Sequence, residues 1–202
     1  NWTYTELFRP MTVEKQLRTI CFVGRLEAQK NLETLVEAVR GLDARIIMYG
    51  DGSLRYILEE QAHALDVDVQ FRGRIANGEL PAALNACEIF ALPSLYEGNP
   101  KVLLEAMACG LPVVGTDVEG IMSIIEHEKT GLVCKTNPDS IRQAINKLLN
   151  DPGLRSRLGE AARECPAIIG RHRRNVGIHE QDCTIGLVAD FAVHDPRRPP
   201  VS

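Results

Sequence analysis

Several things are missing from this 202-residue chain, and each absence removes a class of function. There is no excess of positive charge: 23 lysines and arginines stand against 27 aspartates and glutamates, a formal net charge of −4. A general nucleic-acid binder is therefore not expected, because no surplus of cations is available for phosphates. No apolar run approaches the ~20 residues needed to span a bilayer, and no signal peptide opens the sequence. The six cysteines (21, 87, 109, 134, 165, 183) include no Cys-x-x-Cys pair. Cys21, Cys87, Cys109 and Cys134 sit inside apolar segments, where a thiol acts as a small hydrophobe. Buried, reduced thiols are expected, and with them a cytoplasmic protein or one at the cytoplasmic membrane face. The sequon Asn1-Trp2-Thr3 is read as chance. His172, His179, Cys183 and His194 match no ligand spacing, so no metal is expected.

What is present is an alternation of strands and helices. Thr19–Gly24 is a near-continuous apolar run ending in glycine, as a buried parallel strand should be. Further strands are predicted at 44–49, 67–72, 89–92, 112–116 and 131–134. Between them come helical periods: Leu32, Leu35, Val36 and Val39, then Leu54, Ile57, Leu58 and Ala62, with Ser53 as cap. Leu80, Ala83, Leu84 and Cys87 follow, with Asn77 as cap. A short helix is predicted over 121–127 and two more after Asp139 and Asp151. Six strands in such alternation predict an α/β, Rossmann-like, doubly wound parallel sheet with helices on both faces. Ligands bind such sheets beyond the carboxyl ends of the strands, at the switch between strands one and four. Residues 1–18 read as an approach segment from a missing N-terminal domain, 19–164 as the sheet domain, and 165–202 as an atypical mobile tail. Gly50-Asp51-Gly52 reads as an ordinary strand-to-helix turn. His63 and His127 read as surface helix residues.

The stretch 93–117, Pro-Ser-Leu-Tyr-Glu-Gly-Asn-Pro-Lys-Val-Leu-Leu-Glu-Ala-Met-Ala-Cys-Gly-Leu-Pro-Val-Val-Gly-Thr-Asp, carries the chemistry. Asn99 is read as a helix N-cap and Pro100 as the first helical residue. Gly110 and Pro112 end the helix. Glu97 then precedes the positive end of the helix, and Glu105 lies roughly 7–8 Å further along its axis. An anion docked on the N–H groups of the segment 100–102 would have one carboxylate on each side. A nucleoside diphosphate sugar has that layout: ribose hydroxyls, diphosphate, sugar hydroxyls.

Glu97 and Glu105 stand in the E-x7-E relation, and the stretch 97–114 resembles that of retaining GT-B glycosyltransferases of family 4, over about residues 3–163. The resemblance implies the C-terminal, donor-binding domain of such an enzyme. It would transfer a hexosyl group from a nucleotide sugar, with retention, to an unknown sugar, lipid or small-molecule acceptor. No cofactor and no metal are implied. Arg25 and Lys30, in the loop opened by Gly24, correspond to the basic pair that holds the donor diphosphate. The physical reason is that leaving-group charge develops on the phosphate as the glycosidic bond breaks. Glu105 corresponds to the ribose-binding glutamate. Glu97 corresponds to the glutamate facing the donor sugar, where it either orients hydroxyls or stabilises positive charge at the anomeric carbon. Gly98 and Asn99 shape the turn, and Pro100, Lys101 and Val102 place the helix end at the phosphates. Gly73, Arg74 and Ile75 occupy the place where backbone pairs with the nucleobase.

Two other readings stand beside this one. The chain, which begins with Asn, reads as a piece of something longer and would by itself bind nucleotide or nucleotide sugar without turnover. A dinucleotide-dependent oxidoreductase would need Gly-x-Gly-x-x-Gly after strand one, where Gly24-Arg25-Leu26-Glu27-Ala28-Gln29 stands instead.

Overall fold

The computed structural model describes residues 6–165. Its elements alternate as the apolar pattern requires: β1 (Thr19–Val23), a 3-10 turn (Ala28–Lys30), α1 (Leu32–Val39), β2 (Arg45–Tyr49), α2 (Arg55–Ala64) and β3 (Asp68–Gly73). They continue with α3 (Leu80–Ala86), β4 (Ile89–Leu92), α4 (Lys101–Ala108), β5 (Val113–Thr116), α5 (Glu119–Met122), β6 (Leu132–Cys134), α6 (Pro138–Asn150) and α7 (Pro152–Arg163). All strand pairs are parallel, in the order β3-β2-β1-β4-β5-β6. The chain winds outward from β1 in one direction to β3, crosses back to β4, and winds outward again. That reversal places the C-terminal ends of β1 and β4 side by side, with a crevice above them.

Burial explains which segments became central strands. Every residue of β1, β4 and β5 is buried, as expected for strands covered on both faces, whereas β3 at the sheet edge is mostly half-exposed. Helix α1 packs with α2 and α6, and α4 packs with α3 and α7. Helix α6 shows the physics most plainly. Asn137 accepts the Ser140 N–H at 2.9 Å, Pro138 opens the first turn, and Ile141, Ala144, Ile145, Leu148 and Leu149 form the buried stripe. Cys21, Cys87, Cys109, Cys134 and Cys165 are buried and free. Burial pushes the Cys109 and Cys134 thiols up to about 12. No helix among the described residues is long and apolar enough to cross a membrane.

The segment before β1 is bolted to the sheet domain rather than hanging from it. Phe8 is buried in the core. Asn85, itself buried, accepts the Met11 N–H at 2.9 Å and donates to the Arg9 and Pro81 carbonyls at 2.9 and 2.8 Å. All of its polar atoms that are buried find partners, as a buried amide must.

Four local expectations are corrected. Ser53 does not cap α2, because Glu27 takes both its N–H (3.0 Å) and its hydroxyl (2.7 Å), leaving Leu54 at the cap position. Asn77 does not cap α3. Residues 77–79 form a turn, and the helix starts at Leu80 with Pro81 in its first turn, where a missing N–H is harmless. The helix predicted over 121–127 is instead the single turn Glu119–Met122. Past it, His127 lies in an exposed bridge to Gly131 and accepts the Val133 N–H at 2.9 Å, a pairing that competes with helix. Finally, Asn137 rather than Asp139 opens α6. Gly50-Asp51-Gly52 is the expected turn from β2 to α2, and a tight one. A Cβ at Gly50 would stand 1.8 Å from the Gly24 carbonyl oxygen, and one at Gly52 2.4 Å from that of Leu26. The ends of β1 and β2 therefore touch backbone to backbone. The tail 166–202, with its expected mobility and its histidines, lies outside the described residues.

Candidate functional site

The crevice over β1 and β4 gathers two loops. The first, from Gly24 to Asn31, continues the β1 register past the strand end. Leu26 N–H donates to Asp51 O at 3.0 Å, and Leu54 N–H donates back to Leu26 O at 2.9 Å. The Glu27 carboxylate, held below its usual range by the Ser53 bonds, fixes the same stretch from the outside. This anchoring leaves Arg25 exposed, with no ion pair among the described residues, and sets Lys30 at the end of the 3-10 turn.

The second loop runs from Pro93 to Pro100. Its fixed point is Ser94, which is fully buried: Thr116 Oγ1 donates to its carbonyl at 2.5 Å. The Ser94 hydroxyl donates to Glu97 Oε1 at 2.6 Å, and Lys30 Nζ reaches the same oxygen at 2.5 Å. Both ion-pair partners are largely withdrawn from water, with side chains 16% (Lys30) and 8% (Glu97) exposed. A pair this enclosed is held by geometry and hydrogen bonds rather than by charge alone. The bonds fall on Oε1, so Oε2 is the oxygen left for another partner. Gly120, in α5, closes the seat: a Cβ there would lie 2.1 Å from Glu97 O and 3.2 Å from Glu97 Cβ. The two loops are further stitched by Leu95 N–H to Gln29 O (2.9 Å) and Gln29 Nε2 to Tyr96 O (2.9 Å).

Helix α4 opens at this point, with one correction to the expected cap. Asn99 is exposed and does not cap it; Pro100, buried, occupies the cap position without a side-chain bond, and Lys101 is the first helical residue. Pro100 carries no N–H, and the Leu103 N–H turns back to Pro100 O at 3.1 Å. The Lys101 and Val102 N–H groups therefore remain as donors at the positive end of the helix. A turn later stands Glu105, half-buried. Burial pushes its carboxyl up to about 7, and Lys101 pulls it back only in part. No donor among the described residues accounts for its oxygens.

The structure thus brings Lys30 and Glu97 into direct contact and places Lys101, Val102 and Glu105 on the adjoining helix. Gly98 is exposed in the turn between them. Gly73 ends β3 with a positive φ of 69°, and its carbonyl accepts the Gly50 N–H at 2.7 Å, which ties that loop to the Gly24 side of the crevice. Arg74 is exposed and Ile75 half-buried, and the Arg74 side chain bonds to none of the other site residues. Sequence reading missed Ser94, Gln29 and Gly120. A small polar residue ending an apolar strand was the available signal for Ser94. The other two depend on contacts across 67 and 23 positions and left none. Among the described residues, no group of three His, Cys, Asp or Glu is placed to hold a metal.

The fold is that of the Rossmann-like, C-terminal domain of GT-B glycosyltransferases. Residues 4–165 match the family described as Glycosyl transferases group 1, and the chain belongs to that family. It is 37% identical over 154 residues to an uncharacterised glycosyltransferase of Methanocaldococcus jannaschii, covering 73% of this chain and 40% of that protein. It is 32% identical over 161 residues to the GDP-mannose-dependent alpha-(1-6)-phosphatidylinositol monomannoside mannosyltransferase of Mycobacterium tuberculosis (72% of this chain, 42% of that one). The solved C-terminal domain of a group 1 family protein (LpcC) from Francisella tularensis superposes with a TM-score of 0.70. The two share 22% identity over 81% of this chain and 95% of that one, a likeness of fold. The chain thus spans about 40% of the length of the curated relatives it matches.

Proposed function

We propose that this chain is the donor-binding half of a retaining glycosyltransferase, moving a hexosyl group from a nucleoside diphosphate sugar to an acceptor held by a preceding domain. The observation that carries the reading is the Lys30–Glu97 pair beside the open end of α4, at the β1/β4 switch. In this reading Arg25, Lys30 and the Lys101 and Val102 N–H groups take the diphosphate. They stabilise the charge that grows on the leaving phosphate as the sugar departs, and the helix N–H groups and Lys30, being held in place, need little rearrangement in the transition state. Glu105 accepts the ribose hydroxyls. Glu97, anchored through Oε1, offers Oε2 to the sugar. The Gly73–Ile75 backbone receives the base. The GDP-mannose named for the mycobacterial relative supports the class of donor; the acceptor side belongs to the other half of the cleft.

A binding module without turnover would use the same residues, and the short coverage of the relatives favours it for the chain by itself. Titration calorimetry with UDP, GDP and ADP, paired with a transfer assay, tests both. The 202-residue chain is expected to bind at least one of the three and to transfer nothing. Absence of binding by all three would overturn the donor-site reading. Transfer by this chain alone would show that no second half is needed.

A further inference from the structure

Three strand ends meet at one side chain that the site as described does not use. Asn31 follows Lys30 directly and has a left-handed backbone (φ 54°), closing the 3-10 turn and opening α1. Its Nδ2 donates to Pro93 O, just past β4, and to Thr136 O, just past β6, both at 3.1 Å. Its Oδ1 accepts from Thr34 Oγ1 at 2.6 Å, in the first turn of α1. Both amide protons and one carbonyl lone pair are thus spent on three separate elements. A glycine would satisfy the left-handed backbone equally well, so the backbone alone does not call for this side chain. What the amide adds is a cross-tie from the cationic loop to the loop that carries Glu97.

We propose that Asn31 is a positioning residue: by pinning the Lys30 turn to Pro93 and Thr136, it sets where the Lys30 ammonium stands against Glu97 and against a bound diphosphate. This inference rests on the donor-site reading above. Its logic is geometric. Lys30 has a long, flexible stem, and its ammonium is useful to a phosphate only if the turn beneath it is held. The main-chain and side-chain bonds of Gln29 hold the loop to Leu95 and Tyr96, but among the described residues of this loop only Asn31 bonds to the β6 side.

The test uses the 202-residue chain, the best-binding of UDP, GDP and ADP, and the matching nucleoside monophosphate. The readout is the ratio of the two affinities, which isolates the contribution of the second phosphate. Asn31→Gly keeps the left-handed backbone and removes the cross-tie. Asn31→Asp keeps the shape and the Thr34 acceptor and removes both donors. Each is expected to lower the diphosphate preference about tenfold while leaving monophosphate affinity within about twofold. Lys30→Ala is expected to lower the same preference, and Asn31→Gly combined with Lys30→Ala no further than Lys30→Ala alone. A merely structural Asn31 would lower the melting temperature and weaken both nucleotides equally, and that result would overturn the proposal. If Lys30→Ala erodes the preference and neither Asn31 variant does, the donor site stands and the positioning role falls. If Lys30→Ala leaves the preference untouched, the donor-site reading falls and this inference with it.

Discussion

Gly50→Ala is expected to lower the melting temperature by about 10 °C. The new Cβ would stand 1.8 Å from the Gly24 carbonyl oxygen and 2.9 Å from its carbon, so the obstacle is backbone and cannot rotate away. Nor can either strand end retreat freely. Gly24 N–H donates to Tyr49 O at 2.9 Å, and Gly50 N–H donates to Gly73 O at 2.7 Å, locking β1, β2 and β3 together there. The φ of 136° at Gly50 adds strain for any residue with a side chain. Overpacking of this kind costs about 3 kcal/mol, and in a domain of this size each kcal/mol shifts the melting temperature by about 2–4 °C. Thermal denaturation followed by circular dichroism checks it. A shift below 2 °C would mean that the strand ends separate easily, and that the Arg25 loop is not seated as described.

Glu105 is expected to oppose stability and binding to each other. Its carboxyl is pushed up to about 7 by burial, against an ordinary value of 4.5. The folded state therefore prefers the neutral acid. The stability it contributes is fully present below pH 4.5 and is lost as pH rises through 7, a span worth about 3 kcal/mol. Glu105→Gln has no proton to lose, so it should match wild type near pH 4.5 and melt higher at pH 8. Nucleotide binding should move the other way. Losing charge-assisted hydrogen bonds to ribose, about 1.5–3 kcal/mol, weakens nucleoside diphosphate binding roughly 10- to 150-fold in Glu105→Ala. The advantage of wild type over Glu105→Gln should also grow about tenfold between pH 6 and pH 8, as the carboxylate forms. A Glu105→Gln variant no more stable than wild type at pH 8 would show that burial does not hold the carboxyl up near 7, and one that binds as tightly would remove Glu105 from the ribose.

The legible part of the molecule was the part written locally. Fully buried parallel strands must be near-continuous apolar runs, so Thr19–Val23 and Ile89–Leu92 announced themselves, and the order of strands and helices followed. Asp151 also read correctly as a helix opening, because its side chain accepts the N–H of Leu154, three residues onward; Asp139 did not, because Asn137 caps that helix two residues earlier. Nor did Ser53 and Asn99. Ser53 is taken by Glu27, 26 positions away, and Asn99 lies two positions before Lys101, the first residue of its helix, with Pro100 at the cap. The site divided along the same line. Arg25, Lys30, Glu97 and Glu105 each sit in a recognisable local pattern. The seat around Glu97, made by Ser94, Lys30 and Gly120, exists only after β1, β4 and β5 are side by side. That seat also revises one expectation. From sequence, Glu97 and Lys30 act on separate parts of the donor, so removing Glu97 would not touch the diphosphate. With Lys30 Nζ on Glu97 Oε1, the carboxylate holds the very cation assigned to the phosphate.

The most direct test of the donor site is a crystal structure of this chain grown with whichever of UDP, GDP and ADP binds it most tightly. The diphosphate is expected within hydrogen-bond distance of Arg25, Lys30 and the Lys101 and Val102 N–H groups. Both ribose hydroxyls should lie on the Glu105 carboxylate, with Glu97 beyond the second phosphate. A diphosphate bound on the Gly50–Ser53 turn instead, or a ribose turned away from Glu105, would contradict it.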